Sequence, residues 1–138
     1  MFSYEEVLSV SASDFFNTLL SQVVHDINDQ TGRNLDNTSI LSGCRYKVKK
    51  KYGKKIVESI VEVKKPVVNK KIETLFESNG KKYSMIYEIE AIDDDNCKVR
   101  YIQNDGKEKT GIFTSLRAKS TTKKRFKAFV KFIKENKK

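Results

Sequence analysis

The apolar positions of the chain change period twice. Phe2, Tyr4, Leu8 and Val10 alternate, imperfectly, with polar neighbours and predict a strand over 2–10. From Phe16 onward Leu19, Leu20, Val23, Val24 and Ile27 recur at helical spacing, which predicts an amphipathic helix over about 14–28. Ser13 is the expected N-cap, with Asp14 in the first turn where the helix dipole favours a negative charge. Gly32 lies in the turn-rich stretch that follows and ends the helix; a short second helix is expected around 38–41.

A long tract of period 2 comes next. Strands are predicted over 44–51 and 55–65, the first closed by Tyr52-Gly53 and the second by Pro66, which a central strand does not tolerate. The strand over 69–78 ends at Asn79-Gly80, the strongest hairpin signal in the chain. Residues 81–92 alternate cleanly, with Tyr83, Met85, Tyr87, Ile89 and Ala91 on one face against Ser84, Glu88 and Glu90 on the other. After the turn at Asp93-Asp94-Asp95-Asn96, Cys97, Val99 and Tyr101 share a face as far as Asp105-Gly106, and a last short strand is expected over 112–115. The helical period then returns. Phe126, Phe129, Val130 and Ile133 form one stripe, and lysines 123, 124, 127, 131 and 134 cover the opposite face, so a C-terminal helix is predicted from about 121 with Thr121 or Thr122 as its cap.

This order of elements carries a resemblance. The opening strand runs into Ser11-Ala12-Ser13-Asp14-Phe15-Phe16, the strand from Tyr83 sits in the middle of a meander, and the stripe from Phe126 to Ile133 closes the chain. In these features the whole chain, 1–138 as a single START-like domain, resembles the START-like (Bet v 1-like, SRPBCC) superfamily, and within it a small uncharacterised bacterial family. The resemblance implies an α+β fold of the helix-grip type, in which a curved antiparallel sheet of six or seven strands packs on a long C-terminal helix. It also implies a cavity between sheet and helix that holds apolar molecules.

Composition sharpens the choice of partner. The length suits one domain with a packed core, and no apolar run approaches the roughly 20 residues of a membrane span. Glu5 and Glu6 stand where a signal peptide would be basic, so a cytoplasmic protein is expected. Cys44 and Cys97 are far apart, with a single histidine in the chain, and two free thiols are expected over a disulfide. The net charge of +10 is concentrated: residues 45–71 hold eleven Lys/Arg against two Glu, and residues 117–138 hold ten against Glu135. Only five of the 28 basic residues are Arg, the residue that grips phosphates bidentately, so a solvated lysine surface outranks a nucleic-acid site.

Little catalytic chemistry is legible. His25 has neither a nucleophile nor an orienting partner in any recognisable pattern. Asp93, Asp94 and Asp95 lack the spacing of a calcium loop, Glu88 and Glu90 fall on the solvent face, and Gly106 and Gly111 open no phosphate-binding helix. No catalytic residue, metal ligand or cofactor is assigned. The candidate ligand-binding residues are Tyr83, Met85, Tyr87, Ile89, Val99, Tyr101, Phe126, Phe129, Val130 and Ile133, whose tyrosine hydroxyls could orient a guest; the alternative is that these rings simply fill the core. Non-enzymatic binding of a small apolar or amphipathic ligand is therefore the first expectation. An adaptor meeting an acidic protein or nucleic acid through the lysine-rich surfaces is the second, and a small cyclase or hydratase the third. No membrane insertion is expected, and no membrane-surface role for the basic C-terminal segment, because the apolar stripe of the last helix is needed by the sheet. The oligomeric state stays open.

Overall fold

The computed structural model describes residues 2–78, 80–104 and 112–136, with side chains in the last segment described from Arg117. Strand β1 (Phe2–Leu8) leads into helix α1 (Ala12–Thr31). A short 3-10 turn at Ser39–Ser42 precedes five antiparallel strands: β2 (Cys44–Tyr52), β3 (Lys55–Val63), β4 (Lys71–Ser78), β5 (Lys81–Asp93) and β6 (Asn96–Asn104). Helix α2 (Ile112–Glu135) closes the chain. The strands lie in the order β1-β6-β5-β4-β3-β2, so β2 to β6 form a meander of hairpins and β1 returns to pair with β6. This is the expected helix-grip α+β arrangement, with six strands among the described residues.

Local chemistry sets most of the boundaries. The N-cap of α1 is Ser11 rather than Ser13: its hydroxyl accepts from the Asp14 amide at 3.0 Å, satisfying one of the free donors of the first turn. Asp14 keeps its predicted place in that turn, and Gly32, at φ 71°, caps the other end with its N–H donating to the Asn28 carbonyl. The Asn79-Gly80 hairpin is seen through Gly80, at φ 75° between β4 and β5; Asn79 and the predicted Asp105-Gly106 turn lie outside the described residues. Strand β4 starts two residues later than predicted because Asn69 takes a left-handed backbone, φ 61°, which no strand accommodates.

The C-terminal region differs most from expectation. Residues 112–115 open α2 and form no seventh strand, and the helix begins near 112, not 121. A short apolar run fits either period, and the helical reading wins when the run continues a longer helix. Thr121 and Thr122 therefore cap nothing. Thr122 is buried inside the helix, and its hydroxyl donates to the Ala118 carbonyl at 2.8 Å, which removes the cost of a polar group there.

Side chains from both helices and the concave sheet face make one core. Phe15, fully buried, is its junction: its ring centroid lies 5.5 Å from Phe129, 6.1 Å from Phe126 and 6.4 Å from Tyr87. The α2 contacts are edge-on, the geometry aromatic quadrupoles favour. No helix among the described residues is long and apolar enough to cross a membrane.

Two predictions follow from this packing. Phe15→Ala and Phe129→Ala should each lower stability by about 3–5 kcal/mol, as large aromatic deletions in cores do; urea midpoints equal to the parent's would mean the helices do not grip the sheet here. Cys97 is buried, with its thiol pushed up to about 11 by burial, while Cys44 is half-buried beside the Arg33 guanidinium at 3.3 Å. A thiol reagent at mildly alkaline pH should thus modify Cys44 in the native protein and reach Cys97 only on unfolding.

Candidate ligand-binding cavity

Helix α2 packs over the β1 side, where Phe126 meets Tyr4 at 5.6 Å, and α1 leans toward it through Phe15. The concave faces of β2, β3 and β4 are left partly uncovered, and there the cavity lies.

The larger chamber, about 340 Å³, has Val48, Val61, Phe76 and Met85 on its sheet side and Val23 and Asp26 of α1 above. Phe76 and Tyr83, directly paired across β4 and β5, stack at 4.8 Å with planes only 9° apart and form part of the wall. A second chamber of about 270 Å³ reaches deeper under α1, between Leu19, Gln22, Ile72, Tyr87 and Arg125. Val23, Asp26, Thr74 and Met85 belong to both, so the chambers abut. Asp26, shared by both chambers, is close enough to Tyr46 to help burial raise that phenol's pKa.

Arg125 borders the second chamber and not the first. Its guanidinium donates to the Tyr87 hydroxyl at 3.2 Å and lies 5.8 Å above the Tyr101 ring, a cation–π distance. The Tyr101 hydroxyl donates in turn to Gln103 at 3.1 Å. Burial holds both phenols above their ordinary value, and Arg125 partly opposes that. Desolvation pulls on the Arg125 charge, and the two tyrosines more than offset it. No carboxylate among the described residues forms an ion pair with Arg125. Arg125 also borders a groove of about 660 Å³ between the helices, where Gln22 and His25 face Phe129 and the exposed Phe132.

The ten candidate residues from the sequence separate into two groups. Tyr83, Met85 and Tyr87 line the chambers. Ile89, Val99, Tyr101, Phe126, Phe129 and Ile133 are buried in the core, with Val130 half-buried against them. The space lies beside the α2 stripe, under α1. Sequence reasoning passed over Arg125, Asp26 and the cavity-lining residues of β2 to β4. The available signal for Arg125 was its type: one of five arginines in a lysine-dominated chain, next to a core phenylalanine.

The other candidate groups take structural places. Asp93 accepts from the Asp95 amide at 2.8 Å and from the Asn96 side chain at 2.9 Å, which holds its carboxyl below the usual range and ties a hairpin turn. Glu88 and Glu90 are exposed on the convex face, Glu90 pairing with Lys98 at 3.7 Å. Among the described residues no group of His, Cys, Asp and Glu is arranged to hold a metal ion.

A family profile described as "Domain of unknown function (DUF3284)" matches residues 3–124. The chain belongs to the DUF3284 family. The match ends one residue before Arg125, so the argument for that side chain rests on this chain alone. No curated protein matches the chain in sequence. Solved structures share its fold. A START superfamily protein from Mycobacterium smegmatis has a TM-score of 0.59 at 14% identity, covering 96% of each chain. The Zhui aromatase/cyclase from Streptomyces sp. R1128 gives 0.58 at 8% identity, covering 99% of this chain and 94% of its own. Ara h 8.0201 gives 0.57 at 13%, covering 98% and 97%. The DUF3284 chain thus has the START-like, Bet v 1-like fold, and at these identities the likeness extends to the fold alone.

The buried phenols give the site a pH signature. Tyr46, Tyr87 and Tyr101 are raised above 10 and Cys97 to about 11, chiefly by burial. The folded state keeps protons that the unfolded chain releases near pH 9 for the thiol and near pH 10 for the phenols, so their stabilising contribution is complete below those values and is lost as pH climbs through the folded-state ones. Urea midpoints should fall between pH 9 and 11, and less steeply in Tyr87→Phe. A flat profile would contradict the burial described for these rings.

Proposed function

We propose that this DUF3284 protein binds a small amphipathic acid without transforming it, the hydrocarbon or aromatic part in the two chambers and the anionic head against Arg125 and Tyr87. The single observation that carries this reading is the placement of Arg125: a cation already oriented by a buried tyrosine, without an ion-paired carboxylate among the described residues, bordering a chamber whose apolar walls are Leu19, Val23, Ile72 and Met85. Together the chambers fall within the roughly 300–1,000 Å³ of ordinary small-molecule sites. Binding is favoured over catalysis because, among the described residues, no hydrogen-bonded acid–base pair faces the space: Tyr87 is held protonated by burial and bonds Arg125.

Decanoate and methyl decanoate separate the two parts of the proposal. Decanoate should raise the melting temperature in step with its concentration, since a ligand of the folded state stabilises by mass action. Arg125→Gln should weaken decanoate by roughly 10- to 100-fold, the worth of a hydrogen bond to a charged group, and leave the ester unchanged. Met85→Trp, which fills the wall shared by both chambers, should abolish both. If neither compound shifts the melting temperature, the cavity is no ligand site for such chains; if acid and ester bind alike, Arg125 is not the anchor.

A further inference from the structure

The β2–β3 hairpin extends past the sheet that carries it. Cross-strand pairing of β2 with β3 continues to Tyr52 and Lys55, whereas β3 pairs with β4 only from Ser59 onward. Residues 55–58 therefore have β2 as their one strand partner among the described residues, and the ribbon overhangs by about 13 Å at 3.3 Å per residue. Five lysines ring this arm, at 49, 50, 51, 54 and 55, against Glu58.

The apolar residues of the arm are on show. Ile56 is 68% exposed and Tyr52 62%, the highest values among the large apolar side chains described. Pairing of Lys51 with Ile56 and of Tyr52 with Lys55 puts Tyr52 and Ile56 on opposite faces of the ribbon, directly behind the Gly53-Lys54 tip. Lys50, Tyr52 and Val57, on the concave side, also border the larger chamber. The arm is a basic, apolar-tipped projection at the mouth of the cavity.

We propose that this arm docks the protein on an anionic lipid surface, Tyr52 and Ile56 entering the headgroup region and the lysines resting on the acidic lipids. Tyrosine suits that interface because one end of it is apolar and the other wet, and clustered lysines near an anionic leaflet add attraction charge by charge. Nucleic acid fits the arm less well. It offers one aromatic platform and no arginine, and an aliphatic Ile56 contributes nothing to base stacking. The docking needs no spanning helix and leaves the stripe of α2 in the core. It also sets the cavity mouth against the surface from which an amphipathic guest would come, although docking itself does not depend on the ligand reading.

The test is flotation of the full chain with vesicles of phosphatidylcholine mixed with phosphatidylglycerol, against phosphatidylcholine alone, at physiological ionic strength. Lys49→Gln/Lys50→Gln/Lys51→Gln should reduce partitioning to the acidic vesicles by about 100-fold, at roughly fivefold per lysine. Tyr52→Ser/Ile56→Ser should weaken it without altering net charge. Lys123→Gln/Lys127→Gln/Lys131→Gln, which removes the same charge from the exposed face of α2, should bind as the parent does. Urea midpoints of all three variants should match the parent, because the arm lies outside the core. Absence of binding to acidic vesicles, or equal loss in the α2 variant, would overturn the proposal. Arm-dependent binding of an RNA oligonucleotide tighter than that of vesicles would overturn it in favour of a nucleic-acid surface.

Discussion

Phe15 is where two helices and the sheet are tied together. Its ring reaches Phe126 and Phe129 on α2 and Tyr87 on β5 from the second turn of α1, with no exposed surface of its own. Because those contacts are short and two are edge-on, the helices must meet over the β5, β6 and β1 half of the sheet. Helix α1 then runs on toward β2, where Asp26 stands close to Tyr46. The chambers lie where α1, held at its Phe15 end by this junction, passes from β5 and β6 toward β2 without filling the space over β3 and β4.

The inner face of β5 records the transition from core to cavity. Ile89 and Tyr87 are buried, Met85 is half-buried and Tyr83 is 38% exposed, although all four stand on the same side of one strand. Moving along it, the neighbours change from Phe15 and Phe126 to Thr74 and Phe76, which no helix covers fully. A ligand occupying that end would meet apolar walls continuous with the core, and at the other end a tyrosine whose hydroxyl already accepts from Arg125. Asp26 and Thr74 line both chambers, whereas Arg125 borders the second alone.

Elements with a long, clean period were legible in the sequence, and those defined by short runs were not. The β5 alternation from Tyr83 to Ala91 and the α1 stripe from Phe16 to Ile27 each extend over several repeats, so both appear near their expected bounds. Residues 112–115 supply too few positions to distinguish a period of 2 from 3.6, which is why the start of α2 was misplaced. The cavity was legible as a consequence of the resemblance, its position was not. Periodicity identifies the inner faces of β5 and α2 but cannot say which portion of the inner face a second helix will cover. Arg125 meets Tyr87 only when β5 is brought across from it, 38 residues away in sequence.

Lysines on β2 have an ordinary explanation, since β2 is an edge of the sheet and charged side chains keep such edges from pairing with other chains. That explanation accounts for Arg45 and Lys47, which stand where β2 borders the supported part of β3. It does not account for the overhang. An edge guarded against association would not place its most exposed aliphatic and aromatic side chains beyond the last supporting strand, and both Ile56 and Tyr52 are there. Nor does a demand for solubility explain them, because Lys54 and Lys55 already provide charge at the tip. Exposed apolar side chains stand among lysines elsewhere as well, at Val67, Val68 and Phe132, but the highest exposures, Ile56 and Tyr52, fall where the ribbon leaves the sheet. A surface that is both anionic and able to take up apolar groups answers to both features at once, whereas edge protection answers to one and is weakened by the other.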